Sequence, residues 1–205
     1  FLPAVIPLWA AALTDLAFLP LAALVLARPV VRVRQWRNIV FVPLLLAMTV
    51  ANAAMHWAAV TGNPETQYLA GNAMVMFVTL LMTIMAGRVV PMFTANGTGT
   101  ERVPAIGWLE KMALVTVLVA VAASFRLPGI PSGAVALCFL LAAFVHGVRA
   151  LRWRIWATFA APLVWSLHLS YWCIPLGLFL YGLSEITTAV THSQATHTLT
   201  VGAMG

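Results

Sequence analysis

Apolar residues fill this chain in six long blocks with short polar interruptions between them, rather than in the one-sided stripes of surface helices. A helix that crosses a bilayer needs about 20 mostly apolar residues. Blocks near 3–27, 39–60, 68–90, 108–126, 133–149 and 155–183 meet that need. The predicted fold class is therefore all-α: a polytopic membrane helix bundle of about six transmembrane helices, forming a single transmembrane domain over 1–205. The fifth block is short. The sixth is long, and Pro162 and Pro175 inside it predict a tilt or kink. Pro91 is read as the end of the third helix, and Asn96-Gly97 as a turn beyond it. No internal repeat and no low-complexity tract stands out.

Composition narrows the classes. Hydrophobic residues make up 62% of the chain and charged ones 8%, where a soluble domain carries about a quarter charged. Disordered chains are poor in aliphatic and aromatic residues, so that class is excluded as well. The lipid bilayer is the expected solvent.

The net charge of +6 would suggest nucleic acid in a soluble protein. Here the cations cluster between apolar blocks and report topology instead. Arg28, Arg32, Arg34 and Arg37 lie in the first connection, Arg88, Arg102 and Lys111 near the third, and Arg149, Arg152 and Arg154 in the fifth. Ten of the eleven basic residues thus place the odd-numbered connections inside and the N-terminus outside; Arg126 alone dissents. Trp36, Trp57, Trp108, Trp153 and Trp156 fall at predicted helix ends, as an aromatic belt requires. Cys138 and Cys173 sit in apolar blocks and read as small buried hydrophobes.

Polar residues inside the bilayer carry the functional information. Asp15 lies within the first helix and needs a partner or a role. Thr49, Asn52 and His56 share one face of the second helix, and Tyr68, Asn72, Met76, Thr79 and Thr83 one face of the third. These stripes either line an inward-facing space or hydrogen-bond between helices. In the sixth helix His168 is read at mid-depth, framed by Trp165, Tyr171 and Trp172. An imidazole among flat apolar rings suits a metal or porphyrin, or a packed core. His56, His168 and His197, with His192 nearby, are expected in the outer half, and His146 about 15 Å deeper than His168. No helix carries a two-histidine chelate. Arg88 either binds an anionic group or snorkels to the headgroups.

Several segments taken together resemble one family: Asp15-Leu-Ala-Phe-Leu-Pro20, Asn52-x3-His56, Arg88-x2-Pro91-x-Phe93-Thr-x-Asn96, Leu167-His168-x2-Tyr171, and the ending from His197 to Gly205. They are similar, in order, to the NnrS family of bacterial inner-membrane proteins linked to denitrification and the nitric oxide response, with haem and copper as cofactors. The resemblance implies the middle of a longer, roughly twelve-helix protein in the cytoplasmic membrane. It implies that His56, His168 and His197 are metal or haem ligands, with His192 as a further metal candidate. Tyr171 and Arg88 would face the cofactor, and Asp15, Asn52 and Asn96 would be structural or functional polar residues. It also implies a role in nitric oxide metabolism or nitrosative-stress defence, with nitric oxide or a related small molecule as partner and no nucleic acid. No catalytic residue is assigned. A transporter with a midplane polar site and a non-catalytic assembly subunit are the alternatives.

Overall fold

The computed structural model describes residues 7–205, so the start of the first predicted block, at 3–6, lies outside it. Six long helices follow in order: α1 (Leu8–Arg32), α2 (Phe41–Thr61), α3 (Pro64–Thr98), α4 (Gly107–Ser124), α5 (Ser132–Arg152) and α6 (Pro162–Ser184), then the short α7 (His192–His197) and a π-helical turn (Thr198–Ala203). All six long elements are apolar and long enough to cross a membrane. The physical reason is that lipid offers backbone amides no partner, so an apolar run of this length must satisfy its hydrogen bonds within itself.

The described residues cluster into two compact units, one ending at Phe77 and one beginning at Val78. In the first, α1 packs on α2. Ala23, Val30, Leu44, Met48, Ala51 and Ala58 are buried, while Trp9, Leu13, Phe18, Leu21 and Val25 of α1 point outward, as lipid-facing side chains do. α2 stops at Gly62, whose φ of 66° lets its amide turn back to the Ala58 carbonyl. In the second unit α4 packs on α5, α5 on α6, and α6 on α7 and the π-helical turn. Small residues set these approaches. A Cβ at Gly177 would lie 2.6 Å from the Leu199 side chain, and one at Gly202 would lie 2.7 Å from Cys173 Sγ.

Three expectations change. Pro91 does not end α3, which continues to Thr98 with Asn96 and Gly97 still helical. Without a Pro91 N–H one hydrogen bond is lost, but unwinding the helix in lipid would lose several. Gly97 serves a contact instead of a turn, because a Cβ there would lie 2.6 Å from Val164 Cγ2 at the start of α6. Second, α6 begins at Pro162, not 155. Residues Ile155–Thr158 form a 3-10 turn, and Pro162 takes the first helical position, where a missing N–H costs nothing. His168 is consequently only six residues, about 9 Å, from the start of its helix rather than at mid-depth.

Third, a repeat exists. Arg32-Val-Arg34-Gln-Trp36 and Arg152-Trp-Arg154-Ile-Trp156 adopt the same turn. In each a helix ends at the first arginine, the second is left-handed (φ 54° and 58°), and a 3-10 turn leads into the next helix.

Candidate functional site

The five histidines differ in what occupies their ring nitrogens. In the first unit α1 and α2 bring Asp15, Asn52 and His56 together. Asn52 Nδ2 donates to Asp15 Oδ2 at 2.8 Å, and His56 Nε2 lies 2.8 Å from the same oxygen. A carboxylate only accepts, so Nε2 carries the proton and Nδ1 keeps its lone pair in the neutral ring. Asp15 and His56 remain partly exposed, with 56% and 36% of their side chains accessible. The shared face of Asn52 and His56 matches the one read from their spacing; its partner is α1. On α3, Asn72, Met76, Thr79 and Thr83 are buried, whereas Tyr68 is exposed.

In the second unit His168 is 1% exposed. The Thr94 hydroxyl donates to the Val90 carbonyl at 2.8 Å, so its oxygen accepts from His168 Nε2 at 2.7 Å. His197 is exposed. Its Nδ1 donates to the Ser193 carbonyl at 2.8 Å, which leaves Nε2 as the lone-pair nitrogen. A capping box of Thr191 with Gln194 starts this short helix and fixes the presentation of His197.

His146 and His192 are committed at both nitrogens. His146 Nε2 donates to the Ala113 carbonyl at 3.1 Å, and Nδ1 accepts from the Tyr171 hydroxyl at 2.7 Å. His192 Nε2 accepts from Arg126, and Nδ1 faces Ser184 Oγ at 3.2 Å. Since Ser184 donates to the Tyr181 carbonyl at 2.7 Å, its oxygen is the acceptor and Nδ1 the donor. Arg126 also donates to Glu185 at 2.7 Å, a carboxylate only 4% exposed. Burial first, and the Arg126 guanidinium next, hold the His192 imidazole below its ordinary pKa, with Glu185 pulling the other way.

Depth separates the candidates further. Leu199, two residues past His197, packs on Gly177, and the Ser170 hydroxyl donates to the Ala203 carbonyl at 2.7 Å. Gly177 is nine residues, about 14 Å, further along α6 than His168. His168 and His197 thus occupy different levels, and the expected common outer-half height does not hold for them. His146 and Tyr171 are hydrogen-bonded, which places His146 beside the His168 level rather than 15 Å deeper. Among the described residues no group of three or more His, Cys, Asp or Glu side chains is arranged to hold a metal ion. Arg88 lies inside α3, and Asn96 is exposed near its end.

The sequence reading missed a buried polar network. Arg149, 3% exposed, pairs through Nε and Nη2 with both carboxylate oxygens of Glu110. Its Nη1 donates to the Thr83 carbonyl at 3.0 Å and to the Tyr171 hydroxyl at 3.2 Å. The Tyr171 hydroxyl in turn donates to His146, so four side chains and two carbonyls form one connected set. Trp153 lies under the guanidinium at 5.0 Å. Arg149 reads in sequence as one more cation of a charged connection. The available signal was Glu110, an acidic residue inside an apolar block that demands a cation.

No curated protein and no solved structure matches the chain. The family model described as NnrS protein matches residues 1–205, the whole length, and the chain therefore belongs to the NnrS family.

Proposed function

We propose that this chain is a haem- and copper-binding membrane protein of nitric oxide metabolism or nitrosative-stress defence, seated in the bacterial inner membrane with its N-terminus outside. The observation that carries this reading is the state of His197. It is an exposed imidazole whose Nδ1 is tied to a backbone carbonyl and whose Nε2 keeps its lone pair. Metal-ligating histidines are held in this way, with the second nitrogen donating to a carbonyl or carboxylate that fixes tautomer and ring orientation. His56 repeats the arrangement with Asp15 as orienting acceptor. A single imidazole of this kind can hold haem iron as its proximal ligand, so the donor at either histidine suits the group. Bound there, the iron would supply a centre that takes up nitric oxide, an apolar molecule that concentrates in lipid. Asp15 and the Ser193 carbonyl would keep each ring in register.

His168 stands apart: its Nε2 donates to Thr94 in the same manner, but the ring is buried, so its Nδ1 lone pair does not face an open surface. Copper with three protein ligands finds no such set among the described residues, and no step is assigned to it.

The test is the optical spectrum and metal content of the purified full-length protein. A Soret band that falls by half or more in His197→Ala and in His56→Ala, with both variants still inserted, supports the reading. A colourless protein, or haem and copper contents unchanged in both variants, overturns it and favours a transporter or assembly role.

A further inference from the structure

At the arginine-rich end of the second unit a cavity of about 300 Å³ opens between α3, the irregular 101–106 segment, and the facing ends of α4 and α5. Its wall includes Gly87, Arg102, Glu110, Arg149, Arg152 and Trp153. Glu110 is neutralised by the two-pronged contact with Arg149, so the charge left over belongs to Arg102 and Arg152. Arg152 spends one N–H on the Pro104 carbonyl, at 3.3 Å, which ties the 101–106 segment to the end of α5. Among the described residues Arg102 makes no hydrogen bond, and neither do the backbone N–H groups of Arg102, Val103 and Ala105. The wall therefore combines two uncompensated guanidinium groups with unused amide donors, and its one carboxylate is already paired.

We infer that this cavity is an oxyanion site that takes a phosphate group. Two arginines with forked donors and a net charge of two match a phosphate better than a neutral or cationic ligand. The volume also fits. At about 30 Å³ per water it equals roughly ten waters, enough for a phosphate and its remaining shell but not for a large organic molecule. Two sources carry that chemistry, the headgroup of an anionic phospholipid and free phosphate. The position at the end of the spans, with the exposed Trp108 and Trp156 close along the chain to lining residues, is where lipid headgroups lie. The glycine at position 87 is what leaves room, because a Cβ there would overlap Arg149 and lie 2.7 Å from Glu110 Oε2, forcing the pair into the cavity.

The experiment uses the full-length protein in nanodiscs of phosphatidylcholine with or without phosphatidylglycerol. Retained lipid is read by native mass spectrometry, and inorganic phosphate is titrated separately. Arg102→Gln and Arg152→Gln are the variants, since neither residue is buried and each leaves the Arg149–Glu110 pair intact. Arg32→Gln is the control for a basic residue elsewhere. Preferential retention of phosphatidylglycerol, weakened about fivefold by each variant and untouched by Arg32→Gln, establishes the site with lipid as its source. Saturable binding of inorganic phosphate in pure phosphatidylcholine, with the same dependence on Arg102 and Arg152, establishes it with a soluble source. Binding of neither, or an equal loss in Arg32→Gln, overturns it.

Discussion

The buried network and the ion pairs hold their charged and polar side chains through specific partners, and the identity of the partner decides what each residue can do. Arg126, the one cation against the charge pattern, is explained by Glu185, a nearly buried carboxylate it must neutralise. The Tyr171 hydroxyl is the junction between Arg149 and His146. Tyr171→Phe should therefore leave an imidazole lone pair and a guanidinium N–H without partners, costing about 1–3 kcal/mol. Unfolding of the detergent-solubilised protein would read this, and an unchanged midpoint would mean that water replaces the hydroxyl. His192 adds a pH dependence with a definite sign. Its folded pKa is lowered, so the unfolded chain binds the proton first. The stability contributed by the Arg126–Glu185–His192 cluster is present above about pH 6.5, the ordinary histidine value, and declines as pH falls below it. Amides of 185–192 should exchange faster with solvent at pH 5.5 than at pH 7.5, after correction for intrinsic rates, and His192→Gln should flatten that difference.

At the level of elements, close approach is controlled by glycine more than by helix propensity. Gly87 and Gly97 both sit inside α3, where propensity alone would disfavour them. Each faces an atom that leaves no room for a methyl group. Gly133, in the first turn of α5, has nothing within 4 Å of an added Cβ. Gly87→Ala should accordingly destabilise by about 1–3 kcal/mol through overpacking, while Gly133→Ala should be neutral or gain up to about 1 kcal/mol. Thermal unfolding of the two variants side by side tests the contrast, and equal shifts would contradict it. The paired arginine-tryptophan turns show a further element-level rule. A left-handed arginine followed by a 3-10 turn reverses the chain between two spans in both places. The motif is faint in the sequence because only two arginines and one tryptophan recur, three letters in a window of five.

For the whole molecule, the alternation of arginine-rich and arginine-poor connections predicts one orientation for the spans. Cysteines placed one at a time at Asn63 and at Glu101, in a chain from which Cys138 and Cys173 have been removed, should distinguish the two sides. A membrane-impermeant maleimide applied from outside should label the first and spare the second. The reverse result would invert the orientation without altering the helices.

The six spans, their order and the membrane as solvent were legible in the letters, because burial of the backbone in lipid depends only on how long an apolar run lasts, a property of neighbours along the chain. The shared face of Asn52 and His56 was legible for a similar local reason, the helical period. Asp15 was recognisable as needing a partner, but that the partner is this pair was not, since the contact joins residues 37 and 41 positions apart. The same limit hid the Glu110–Arg149–Tyr171–His146 network and set His168 and His197 at different depths. Which imidazole keeps an accessible lone pair depends on the acceptor a neighbouring helix or turn brings to its other nitrogen. That is a matter of distances between elements, and it exists only once they have packed.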